Sequence, residues 1–128
     1  MKKLAFILLV FAVSFNNVNA NNNLNNSLVT TSIKIPKLSA LCQLIVAGNY
    51  DAVESLIKNG TNINRKSTGL TPLMFAARYN KTKIVKLLIK NGAKLNLKSK
   101  NGFTALEYAK MSKAKDAYVV IKTALKKA

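Results

Sequence analysis

The groups this chain could use for chemistry are few. It has four carboxylates (Asp51, Glu54, Glu107 and Asp116), one thiol (Cys42), abundant Ser and Lys, and no His or Trp. Without His there is no Ser–His triad and no Cys–His nucleophile pair, and a single Cys cannot assemble a zinc ligand set. Four scattered carboxylates offer little general acid–base capacity and no calcium cage. A Ser–Lys pair would need a desolvated Lys beside a positioned Ser, and no motif sets one up. The composition points away from an enzyme, and neither a cofactor nor a metal is expected. What the chain holds in excess is positive charge: 21 Lys or Arg against 4 Asp or Glu, a net +17 over 128 residues.

The first segment carries its own signal. Lys2 and Lys3 precede an unbroken apolar run from Leu4 to Val13, followed by Val18-Asn19-Ala20 with its small final residue. A basic start, about a dozen apolar residues and a small-residue site have the layout of a cleaved secretory leader. The run is shorter than the roughly 20 residues a spanning helix needs. Residues 1–20 are therefore read as a signal peptide, and the expected location is across the inner membrane, periplasmic or secreted. No Cys follows the site, which argues against a lipid-anchored form. Residues 21–36 begin as an Asn-rich stretch without helical or strand period and are read as a disordered lead-in. In an oxidising compartment Cys42 has no internal partner and is expected as a small buried apolar residue.

From residue 37 the chain repeats itself, and such a period outranks every other signal. Thr71-Pro72-Leu73-Met74-Phe75-Ala76-Ala77 recurs as Thr104-Ala105-Leu106-Glu107-Tyr108-Ala109-Lys110, 33 residues on. Gly69 and Gly102 stand two residues ahead of each Thr. Val53-Glu54-Ser55-Leu56-Ile57-Lys58-Asn59-Gly60 returns as Val85-Lys86-Leu87-Leu88-Ile89-Lys90-Asn91-Gly92 at an offset of 32, so the one-residue difference between the two offsets falls between Asn64 and Gly69. Thr71 is placed to cap a helix, and Pro72 takes the first helical position, where no donor is wasted. Thr104 and Glu107 form a T-x-x-E capping box. The first helix of each unit is short, with Leu73, Ala76 and Ala77 on one side. The second carries a broad apolar stripe through Ile84, Val85, Leu87, Leu88 and Ile89. Gly60 and Gly92 suit the left-handed position that ends a helix, and Asn101-Gly102 marks a turn. Phe75 and Tyr108 are expected in the core. Asn25, Asn59 and Asn80 stand in N-x-S/T triplets that so Asn-rich a chain produces by coincidence.

This pattern resembles the ankyrin repeat, whose signature runs G-x-T-P-L-H-x-A-A, then a helix ending L-L-x-x-G-A, then x-V-N. Gly69 through Ala77 and Gly92-Ala93-Lys94-Leu95-Asn96 follow it almost throughout. Met74 and Glu107 replace the usual His, and Lys66 and Ser99 replace a common Asp, changes expected to loosen the turns. The resemblance implies an all-α solenoid of three helix–turn–helix units with projecting β-turn loops, at about residues 37–65, 66–98 and 99–128. The charged outer face given by Lys122, Lys126 and Lys127 suits an end cap. Three units are about the minimum that bury a continuous core, so stability of a few kcal/mol, on the order of that of other small domains, is expected.

Carried over position by position, the resemblance assigns partner binding to turn tips and to the exposed face of each first helix. Those positions are Arg65, Ser67, Thr68, Leu70, Arg78 and Tyr79 in the second unit. In the third they are Lys98, Lys100, Asn101, Phe103, Met111 and Ser112. Leu70 and Phe103 are then apolar residues in exposed turns beside cations, or Phe103 packs back onto its neighbouring turn. The implied function is non-catalytic docking of an unidentified, acidic protein by a monomer, in the manner of small ankyrin proteins that bacteria export. The alternative is a cationic binder of an anionic envelope, membrane or polysaccharide surface. A surface of solvated Lys reflecting a compositional bias is the third reading of the charge. Nucleic acid is disfavoured, because Lys outnumbers Arg 19 to 2 and no recognition motif is present.

Overall fold

The computed structural model describes residues 37–128. The leader and the lead-in inferred above lie outside the described residues. Six helices follow in order: α1 (Ala40–Ala47), α2 (Tyr50–Lys58), α3 (Pro72–Arg78), α4 (Thr82–Lys90), α5 (Ala105–Met111) and α6 (Lys115–Lys127). Each odd-numbered helix packs on the even one that follows it. The odd helices stack as one layer, α1 on α3 on α5, and the even helices as a second, α2 on α4 on α6. Three helix pairs therefore share one core, as the 32- and 33-residue offsets require.

The local chemistry explains why the chain breaks where it does. Thr71 and Thr104 open α3 and α5, each hydroxyl accepting from the backbone N–H three residues on. Five helices close alike. After α2, Gly60 N–H donates to the Ile57 carbonyl and Thr61 N–H to that of Leu56. Gly92 with Ala93, Gly48 with Asn49, Asn80 with Lys81 and Lys113 with Ala114 repeat this pair of bonds. The closure needs a residue at positive φ, supplied by Gly60 (85°) and Gly92 (90°) after the second helices. After the first helices the position falls to Gly48 (74°), Asn80 (53°) and Lys113 (56°).

The core runs unbroken through all three pairs. Leu41, Cys42, Ile45 and Val53 come from the first, and Leu73, Met74, Ala76, Ala77, Ile84, Val85 and Leu88 from the second. Ala105, Tyr108, Ala109, Ala114, Ala117 and Ile121 complete it. Phe75 and Tyr108 are buried as expected. The alanines let the odd helices approach closely, while the branched residues of α4 fill the interlayer space. Each fully buried Leu, Ile or Val contributes about 1.5–3 kcal/mol. Cys42 is fully buried, and burial pushes its thiol above its usual range, against smaller opposing effects from Ser39 and Ser67. It behaves as core.

The added residue lies within the turn itself. In the second unit Ser67 and Leu70 pair through two backbone bonds across Thr68 and Gly69, both at positive φ (51° and 88°), as in a I′ hairpin. In the third unit Ser99 N–H donates to Phe103 carbonyl across three residues, with Gly102 at 86°. The two turns touch: Lys100 N–H donates to the Gly69 carbonyl at 2.9 Å. A Cβ at position 69 would lie 2.9 Å from Lys100 Cβ. Gly69→Ala should therefore cost at least about 1–2 kcal/mol, from left-handed strain and from prising the turns apart. An unchanged urea midpoint would contradict that contact.

Candidate docking face

The candidate residues fall into two groups at opposite ends of the first helices. At the turn end stand Arg65, Thr68, Lys98, Lys100, Asn101 and Phe103, all exposed. At the far end, one helix length away (about 10 Å for seven residues), stand Arg78, Tyr79, Met111 and Ser112, also exposed. The tight packing of α3 on α5 aligns equivalent positions from neighbouring units. The bond from Lys100 to Gly69 does the same for the turns.

Two of the expected contact residues are not exposed. Ser67 is buried, and its hydroxyl accepts from Ser39 N–H at 2.9 Å, tying the second turn to the start of α1. Leu70 is half-buried against the core. Leu70 is less exposed than Phe103, its counterpart in the longer turn, whereas Ser67 and its counterpart Ser99 are both buried. Neither has the exposed side chain that the resemblance implies.

Phe103 is held and presented at once. It is 39% exposed, and its ring meets Tyr108 edge to face with centroids 6.0 Å apart. Phe103 thus shows a face to solvent, and the contact that braces it is with the helix of its own unit rather than with the neighbouring turn. Tyr108 hydroxyl in turn donates to Ser99 Oγ at 2.9 Å, and that oxygen also accepts from Asn101 and Phe103 N–H. Ser99 thereby organises the whole third turn. At the other end Tyr79 is 46% exposed, with the Arg78 guanidinium 5.9 Å from its ring centroid, within cation–π range.

The residues that replace the usual His cap their own helices. Met74 Sδ accepts from Thr71 N–H at 3.3 Å, and Glu107 Oε2 accepts from Thr104 N–H at 2.7 Å and from its hydroxyl at 3.1 Å. The backbone N–H of Thr104, its hydroxyl, and the charges of Lys98 and Lys110 together hold the Glu107 carboxyl below its ordinary 4.5, against a smaller desolvation effect. A carboxyl whose folded value is depressed adds stability above its unfolded value, and that stability is lost as pH falls through the folded one. Melts taken just below pH 4.5 should therefore show a decline that Glu107→Gln flattens. Identical acid profiles for the two proteins would contradict the capping role.

Two Asn residues join successive units. Asn80 Oδ1 accepts from Ala117 N–H at 3.1 Å, fastening the second unit to α6. Asn64 Oδ1 accepts from Lys94 N–H at 2.9 Å, joining successive turns.

The match to known families follows this geometry. Residues 38–123 match the family described as ankyrin repeats in three copies. The chain belongs to the ankyrin-repeat family. No match was found among curated proteins. Ankyrin repeats imply a protein–protein interaction module, typically a non-catalytic one. In this ankyrin chain no group of His, Cys, Asp or Glu among the described residues could hold a metal ion. Nor is any described helix long and apolar enough to cross a membrane.

Proposed function

We propose that this chain is an exported, non-catalytic docking module of bacterial origin, binding an acidic protein through its turn tips and first-helix ends. The observation that carries the reading is Phe103, an aromatic ring braced on Tyr108 yet open to solvent, with Lys98 and Lys100 exposed in the same turn. An anchored aromatic beside cations is the kind of group on which interface energy concentrates. Because the ring is already held, little side-chain entropy is lost on binding. Export rests on the leader-like layout of residues 1–20, and periplasmic or secreted protein is the intended reservoir of partners. The strong like charge of each copy favours a monomer.

A second reading is favoured by one specific observation. Among the described residues 18 cationic side chains face four acids, yet one ion pair forms, Lys58 with Glu54 at 3.7 Å. That unneutralised field is what a binder of anionic membrane or polysaccharide would need. Crosslinking pull-downs from envelope and extracellular fractions, at low and high salt, separate the two. Docking through an aromatic anchor gives a discrete partner that persists at moderate salt. Release of all captured material at a few hundred millimolar salt, on the order where screening reaches a few ångströms, would favour the charge-driven reading.

A further inference from the structure

The second-helix layer carries a surface that the docking face does not explain. Val119 is 60% exposed, the most exposed large apolar side chain among the described residues. It stands about 200° round α6 from the buried Ala117 and Ile121, so it points away from the core. Beside it, between α4 and α6, runs a groove of about 410 Å³ with Ile89, Val120 and Ala124 on its floor and Val119 along one edge. Thr123 also lines it, but its hydroxyl donates to the Val119 carbonyl at 2.8 Å, which leaves its methyl for the groove. The rim is cationic: Lys86 and Lys90 come from α4, and Lys127 from α6. A second hollow of about 400 Å³ on the other side of Val119 repeats the scheme, with Ala114 and Tyr118 on its floor and Lys110, Lys113 and Lys115 around it. No carboxylate lines either hollow.

An apolar floor ringed by unpaired lysines selects its occupant by charge. A second copy of this chain would bring the same cations and be repelled. A flat bilayer would meet the Lys rim and the crest of Val119 but leave the recessed Ile89 and Ala124 uncovered. We propose that this groove binds an acidic amphipathic helix of a partner protein, with apolar residues at helical spacing on the floor and Asp or Glu flanks against Lys86, Lys90 and Lys127. From Val119 to Lys127 the groove extends about 12 Å, enough for roughly two turns of the partner. This surface lies on α4 and α6 and needs nothing from Phe103 or Tyr79, so it stands apart from the docking face.

The test uses a fluorescent synthetic peptide of about 14 residues with Leu at i, i+3 and i+4 spacing and Glu on both flanks, and a scrambled peptide of equal composition. Binding is measured by anisotropy to the wild-type protein, Val119→Asp, the Lys86→Glu/Lys90→Glu double variant and Phe103→Ala, each shown by its helical signal to be folded at the assay temperature. Titration with phosphatidylcholine–phosphatidylglycerol vesicles runs in parallel. The expected result is saturable binding of the ordered peptide, weakened at least about tenfold by Val119→Asp and by the double variant, and unaltered by Phe103→Ala. Equal binding of the scrambled peptide, indifference to Val119→Asp, or sensitivity to Val119→Asp with vesicles alone would overturn the proposal.

Discussion

Ser99→Ala should cost about 2–3 kcal/mol, far more than loss of one turn hydroxyl ordinarily would. The substitution leaves the buried Tyr108 hydroxyl without its 2.9 Å partner and removes the acceptor for Asn101 and Phe103 N–H. An orphaned buried donor costs about 1–3 kcal/mol by itself. In a three-unit stack that is a large share of the total. The measurement is a double-mutant cycle in urea. Tyr108→Phe added to Ser99→Ala removes the orphan, so the pair should be markedly less destabilised than the sum of the single changes. Ser99→Asp should retain an acceptor at the same place and preserve most of the stability. Strict additivity would show that Ser99 and Tyr108 are not coupled, and that Phe103 is not held as described.

The second large effect concerns affinity. Tyr79→Ala and Phe103→Ala should each weaken partner binding by about 2 kcal/mol or more, on the order of 30-fold, with the pair additive or worse. Both side chains are substantially exposed, so the fold should survive. Phe103→Ala gives up the edge-to-face contact with Tyr108, worth about 0.5–1.5 kcal/mol of stability, and binding must be read at temperatures where the variant is folded. Isothermal titration with the captured partner is the direct readout. Affinity unchanged in the double variant, with a steep salt dependence retained, would shift the account to the cationic surface.

The parts of this molecule written in periodic residue types were legible from the sequence. Gly60 and Gly92, the Thr71 and Thr104 caps, and the stripe from Ile84 to Ile89 each state a local requirement that one residue type meets best, and the structure uses them so. Register within a turn is less legible. The resemblance implies exposed side chains at Ser67 and Leu70, but Ser67 is buried against Ser39 and Leu70 is half-buried against the core. The role of Asn80 rests on its backbone conformation, which residue type alone does not announce. The signal available was its position 32 residues after Gly48, the same offset that links Gly60 to Gly92. Ser99 was read as a lost Asp, whereas its hydroxyl does the acceptor's work with help from Tyr108. The groove between α4 and α6 was out of reach, since its walls come from helices some thirty residues apart in the chain.

Site-specific photocrosslinking tests the central claim most directly. A photoreactive phenylalanine at position 103 or 79, and at position 58 on the outside of α2 as the control, is introduced into otherwise unchanged protein and irradiated in envelope and extracellular fractions. Docking through the turn tips and first-helix ends predicts one and the same crosslinked partner from positions 103 and 79, and none from position 58. Equal, salt-labile crosslinking from all three positions would contradict it.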